Sequence, residues 1–395
     1  FVKLVFAVSS KFDGALATVE FLMYFDHFAT KDYGENYLNT NTKTIENHLQ
    51  HVVYAINQPA AARGYQSVFW NISLYDEAYF NSMFSDFVFP DMTKPTWESV
   101  KKLQSYFMGW FNKERTRAIL TFPVVTAAML VKDGKPVDTS FTEMCAQELS
   151  EGNSFFIYQS ENADSLASCC RLRSEISDNT FSYSLGAGGV ATGSINVITL
   201  NMNRLIQKGA NIKEEVQKIH KYQVAYRKLI EEYELAGLLP VYQAGFISLD
   251  KQFLTIGING MVEAAESLGI IVGNNDDYKI FVNSYLKTIY EENKLAKKEY
   301  GYMFNTEFVP AENLGVKNAK WDKQDGLFVP RECYNSYFYK VEDPLTNTLD
   351  KIILHGEEII KYLDGGSALH LNLEEAPSKE GFIKLIHATA AAGCN

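Results

Sequence analysis

Ser194-Ile195-Asn196-Val197-Ile198-Thr199-Leu200-Asn201-Met202-Asn203-Arg204 reads as a strand that ends in a knot of polar side chains. β-Branched and apolar residues crowd 195–200. The run from Arg204 to Ala236 is long and amphipathic, with Lys and Glu at i,i+4 spacing. A strand that feeds a helix is the repeating unit of a parallel sheet. Working outward, the alternation continues on both sides. Upstream, Lys11–Ala29 and Thr42–Ile56 read as helices and Gln66–Tyr75 as a strand. Trp97–Trp110 follows as a helix, Arg117–Val124 as a buried strand, Phe141–Leu149 as a helix and Ser154–Gln159 as a strand. Phe1–Ser10 fits either type. Downstream come the strand Phe253–Ile258, the helices Gly260–Leu268 and Tyr278–Leu295, and the strand Tyr302–Phe308. A strand at Ser336–Tyr339, a helix at Asp350–Tyr362 and a strand at Ala368–Leu373 close the series. The fold class is therefore α/β with a mainly parallel sheet or barrel.

The chain has 395 residues, 46% apolar and 22% charged, enough for a sizeable core. Its formal net charge of −11 leaves no surplus of cations for polymeric nucleic acid. That balance leaves room for a small nucleotide held by a few groups. No run approaches the roughly 18 apolar residues of a membrane span. Five cysteines fit a reducing cytoplasm better than a disulfide scaffold. The chain opens in an apolar run without Met and stops without a polar tail, so a longer protein is expected.

Four stretches carry possible chemistry. Cys169-Cys170-Arg171 pairs two thiols with a flanking cation, which favours the thiolate; two small buried residues fit equally. Gly186–Ala191 satisfies G-x-G-x-x-A, but the glycines precede a strand instead of opening a helix, so a dinucleotide fingerprint is excluded. Pro310-Ala311-Glu312-Asn313-Leu314 follows a strand and opens a possible helix. Asp364-Gly365-Gly366-Ser367 is a turn before a strand. His48 and His51, at i,i+3 with no carboxylate motif, read as surface or interface residues, and no Cys/His set has metal-ligand spacing.

In order along the chain, these pieces resemble the catalytic subunit of the anaerobic (class III) ribonucleoside-triphosphate reductases, glycyl radical enzymes. The resemblance rests on Ser9-Ser10…Gly14, Arg63-Gly64-Tyr65-Gln66 with Asn71-Ile72, Cys169-Cys170-Arg171, and Asn196 to Arg204. It ends with Pro310-Ala311-Glu312-Asn313-Leu314, Asn335-Ser336-Tyr337 and Gly365-Gly366. It implies a ten-stranded α/β barrel of two parallel half-sheets around a central finger loop, flanked by helices. Residues 63–395 would form that core, and residues 1–62 a helical segment at a dimer interface near an effector site.

The same resemblance implies anaerobic reduction of ribonucleoside triphosphates to deoxyribonucleoside triphosphates. A thiyl radical at Cys170 would take the ribose 3′ hydrogen, with Ser194, Asn196, Glu312 and Asn313 contacting substrate. The glycyl radical, made by an S-adenosylmethionine-dependent iron–sulfur activase, and a structural zinc would both lie in a C-terminal part beyond this chain. No cofactor or metal is expected on the chain itself. ATP and deoxynucleotide effectors, a homodimer, and formate or a redoxin as reductant are implied as well. Where members carry Asn near 193 or 194, this sequence has Gly and Ser. Two other readings stand beside this one. A pyruvate formate-lyase-like acyltransferase would use both Cys169 and Cys170, and a nucleotide-binding fragment would have no catalysis.

Overall fold

The computed structural model describes every residue except 13, 164, 168–172, 176–192, 309–310, 342, 344–345 and 395. At 165–167, 173–175 and 312 it describes the backbone alone. Two compact units emerge, one mainly from Phe1–Cys170 and one mainly from Ala191–Glu375.

The first unit opens with α1 (Val2–Ser9), β1 (Leu16–Ala17), α2 (Phe21–Tyr33), α3 (Tyr37–Thr40) and α4 (Thr42–Ile56). It continues through β2 (Trp70–Tyr75), α5 (Glu77–Phe84), α6 (Trp97–Arg117), β3 (Val124–Lys132), β4 (Lys135–Pro136), α7 (Thr139–Ser150) and β5 (Phe156–Ser160). β1, β2, β3 and β5 pair in parallel, and β4 turns back antiparallel on β3. Alternation decides the faces. Trp70, Ile72 and Leu74 of β2 and Val125, Ala127 and Met129 of β3 point into one core. Ile45, Leu49, Val53 and Ile56 of α4 meet them there, spaced for one helix face. Asn71, Ser73 and Thr126, on the alternate positions, are buried polar residues. Asp76 joins two elements: it caps α5 through the Tyr79 amide (2.8 Å) and accepts from the Leu130 amide of β3 (2.6 Å).

After the two-stranded pair β6 (Ser165–Ala167) and β7 (Arg173–Glu175), the second unit begins with β8 (Gly193–Asn201). Then come α8 (Met202–Gln207), α9 (Ile212–Leu235), α10 (Pro240–Gln243), β9 (Gln252–Asn259), α11 (Met261–Ser267) and α12 (Asp276–Tyr300). β10 (Met303–Phe308), α13 (Glu312–Gln324), α14 (Thr348–Leu354), α15 (Glu357–Ile360) and β11 (Gly366–Ser367) follow, and α16 (Lys379–Ala391) completes the chain, returning to the first unit through His387 and packing Ile386 into its core. The sheet runs β11-β10-β9-β8, all parallel. Ile256 and Ile258 pack with Val216 of α9 and Val282 and Leu286 of α12. Thr255, Gly257 and Asn259 alternate with them and face away.

Several expectations need correction. Leu16–Ala17 is an edge strand, and the helix expected from Lys11 starts only at Phe21. Residues 118–122 are not a strand: α6 runs on to Arg117, Pro123 cannot donate to a ladder, and β3 starts after it. The long helix from Arg204 breaks at Gly209, whose φ is +63°, and restarts after Asn211. Ser336–Tyr339 lies in a stretch without regular structure, and at 366–373 only Gly366–Ser367 pairs. Phe1–Ser10 resolves as helix.

Candidate functional site

In the second unit's sheet Thr255 of β9 stands in register with Val197 of β8 and Asn305 of β10, and its hydroxyl joins Ser194 and Asn305 in a polar row. Ser194 Oγ donates to the Asn196 carbonyl (2.8 Å) and lies 2.8 Å from Thr255 Oγ1, which donates to Asn305 Oδ1 (2.7 Å). Asn305 is 1% exposed, yet its Nδ2 has no partner. A buried amide with an unmade bond is unusual. A β-bulge falls between Ser194 and Asn196. Asn196 is paired with Leu254, which belongs to an apolar cluster with Val224, Ala296 and Phe304. The Asn196 Oδ1 is also buried and unpartnered.

At the carboxyl ends of the same strands polar side chains converge on shared hydrogen bonds. Asp322 of α13 is 0% exposed. Its carboxylate accepts from Asn201 Nδ2 (3.1 and 3.2 Å), Asn203 Nδ2 (3.0 Å), Arg204 Nε (2.7 Å) and the Tyr334 hydroxyl (2.8 Å). The polar knot that ends the β8 stretch is therefore a clamp on α13. Burial, with the Asp322 carboxylate beside it, pushes the Tyr334 phenol well above its ordinary pKa. Asn259, ending β9, accepts from Asn318 Nδ2 (2.8 Å) and donates to Ser336 Oγ (3.2 Å), which accepts from the Ala311 amide (3.2 Å). Glu263 of α11 ties the same irregular stretch through Arg331 and through the Asn335 amide (3.0 Å) and side chain (2.7 Å). Burial raises the Glu263 carboxyl, against the pull of Arg331 and Asn335. These strand ends and the first turn of α13 form a rigid, hydrogen-bonded rim of the kind that carries ligands in parallel α/β sheets.

The expected site residues distribute as follows. Ser194 and Asn196 stand at the amino end of β8, and Asn313 is exposed in the first turn of α13, past the carboxyl end of β10. No hydrogen bond among the described residues joins Asn313 to Ser194 or Asn196. Glu312 opens α13. Cys169, Cys170 and Gly186–Ala191 lie outside the described residues. His48 is exposed and bonded to the Tyr33 hydroxyl (2.9 Å). Asp364 accepts from the Thr306 amide (2.9 Å), which seats the turn against β10. Asp322, Asn259, Thr255 and Asn305 were missed by the sequence reading. The signal was present for one of them: Asn201, Asn203 and Arg204 at a strand end call for a buried acceptor, and Asp322 supplies it.

Among the described residues no three His, Cys, Asp or Glu side chains form a metal-binding group, and no helix is long and apolar enough to cross a membrane. No curated protein matches the chain. Solved structures do. An anaerobic ribonucleotide reductase is 29% identical with a TM-score of 0.86, over 99% of this chain and 63% of its own. The Thermotoga maritima anaerobic ribonucleotide reductase in complex with dATP and CTP is 28% identical, TM-score 0.86, over 99% of this chain and 67% of that one. The same enzyme with glycerol in its active site is 31% identical, TM-score 0.87, with the same coverage. This chain thus spans about two thirds of the relatives it matches. The sequence model described as anaerobic ribonucleoside-triphosphate reductase matches residues 1–395. With the whole length matched and the strand-end motifs built into one clamp, the chain belongs to the anaerobic ribonucleoside-triphosphate reductase family.

Proposed function

We propose that the protein reduces ribonucleoside triphosphates to deoxyribonucleoside triphosphates in the absence of oxygen. The family match over all 395 residues carries this reading. In it, Cys170 takes the ribose 3′ hydrogen as a thiyl radical, the 2′ hydroxyl leaves as water, and Cys170 returns the hydrogen. Ser194, Asn196, Glu312 and Asn313 hold the nucleotide. The fold that goes with this reading is a ten-stranded α/β barrel of two parallel half-sheets, and the mainly parallel sheet within each unit supports it.

Residues 1–62 belong to a dimer and effector region. The Thermotoga relative has been solved with dATP in its specificity site and with dATP and CTP together, which supports nucleotide effectors as well as nucleotide substrates here. A glycyl radical generated by an S-adenosylmethionine-dependent activase supplies the oxidant for Cys170, and formate or a redoxin the reducing equivalents. No described residues are assigned to zinc.

The test uses the complete protein with its activase. Cys170→Ser abolishes turnover, whereas Cys169→Ser retains it; a requirement for both thiols moves the assignment to an acyl lyase. Ribonucleoside triphosphate at 100 times its Kd stabilises the wild type by about 2.7 kcal/mol. Stabilisation by pyruvate or coenzyme A, with nucleotides silent, overturns the reading.

A further inference from the structure

Helix α13 is gripped on one face by two strands. Asn318 bonds Asn259 at the end of β9, and four residues on, Asp322 takes its donors from the end of β8. Residues four apart share a helix face. Two such contacts stop the helix from both rolling and sliding. Its entry is tied as well, because the Ala311 amide bonds Ser336, which in turn bonds Asn259. At Gly315 a Cβ would lie 2.7 Å from the Tyr334 carbonyl, so the first turns ride directly on the irregular stretch.

Asn203, Asn259, Asn318, Asp322 and Ser336 are all buried. A buried polar network is costly unless every member is satisfied, and its return is a unique arrangement rather than extra stability. An apolar helix face would dock as firmly without fixing the helix along its axis. Asp322 itself is sealed from any ligand.

We propose that Asp322, seconded by Asn318, is a positioning residue for the nucleotide site: it sets where the first turn of α13, with Asn313, stands against the ends of β8 and β9. This rests on the reading of Asn313 as a substrate contact. A displaced first turn loses nucleotide contact before it loses chemistry, so the effect falls on KM.

Asp322→Asn places an amide N–H among four donors. In the complete protein it raises the ribonucleotide KM about tenfold while kcat stays within about threefold. In an Asn313→Ala background the same substitution costs less than about threefold, because its route to substrate is already cut. Tyr334→Phe removes one donor only and gives a smaller shift in the same direction should Asp322→Asn not fold. A lower Tm with KM unchanged assigns Asp322 a purely structural role and overturns the proposal, as do independent, multiplying effects at 322 and 313. The underlying reading is judged separately, on the wild type, by whether ribonucleotides bind and are reduced. Even if it falls, hydrogen exchange decides the placement: faster exchange of the amides at 313–316 in Asp322→Asn upholds it, and unchanged exchange overturns it.

Discussion

Thr199 of β8 closes over Gly257 of β9 so tightly that a Cβ on residue 257 would stand 2.5 Å from the Thr199 hydroxyl oxygen. The two are cross-strand partners on the polar face. Gly257→Ala therefore overpacks the centre of the sheet and destabilises by about 1–3 kcal/mol. Thr199→Ala in the same chain removes the nearest atom and recovers part of the loss. Urea denaturation of the single and double variants measures both.

Asp26 is a buried carboxylate whose Oδ1 accepts from the hydroxyls of Tyr37 (2.7 Å) and Ser99 (2.7 Å). Burial raises its pKa, against these bonds and the nearby His27. The native state thus holds the proton more tightly than the unfolded one, so this group's contribution to stability falls as pH rises from the ordinary carboxylate value through the raised one. Asp26→Asn keeps the acceptor and removes the charge. The variant is more stable than wild type at about pH 8, and the advantage fades toward about pH 3, below the ordinary carboxylate value, where the wild-type group is protonated as well. Denaturation midpoints at the two pH values check this; an unchanged difference refutes it.

Ser194→Ala breaks the chain from Ser194 through Thr255 to Asn305 at its first member. A lost internal hydrogen bond costs about 1 kcal/mol of stability. The proposed substrate role adds a several-fold rise in KM, on the order of one hydrogen bond to a ligand. Steady-state kinetics beside a melting curve separates the two effects.

The three cysteines among the described residues differ in burial. Burial pushes the Cys394 thiol up to about 12 and raises Cys145 as well. Cys333 is half-buried. Alkylation of the native protein followed by peptide mapping finds Cys333 modified well ahead of Cys145 and Cys394. Equal rates would mean that the native packing around the two buried thiols opens readily.

The parallel α/β class was legible because apolar strands and amphipathic helices alternate along the chain, and periodicity reports burial directly. Boundaries were less so. Pro123 and Gly209 both carry the information that moved β3 and split α8 from α9, yet each sits inside an apolar or amphipathic run that masks it. The site was legible only as separate motifs. Ser9…Gly14 and Arg63-Gly64 read as two signals 50 residues apart. In the structure Arg63 donates to the carbonyls of Ser9, Phe12 (2.9 Å) and Gly14 (3.3 Å), so they are one unit. Strict alternation places Ser194 on the same side as Asn196. The bulge between them breaks that parity, and the hydroxyl of Ser194 reaches Thr255 instead. Asp322 sits beside the exposed Trp321 in a charged helix, so its sequence neighbourhood reads as a solvated face although the side chain is wholly buried.

The cage around Asp322 also constrains how the family can change. Its donors come from two places in the chain, residues 201, 203 and 204 and residue 334, and converge on one carboxylate. Losing the acid alone takes an acceptor from the buried Asn203 and Tyr334 and from two further donors; losing one donor alone leaves the acid short of partners. Neither intermediate is neutral, so these five positions are expected to change together. Lineages without an acid at 322 will have rebuilt the ends of β8 and the Tyr334 position together, and a sequence comparison across the family should find the two states with few mixtures between them.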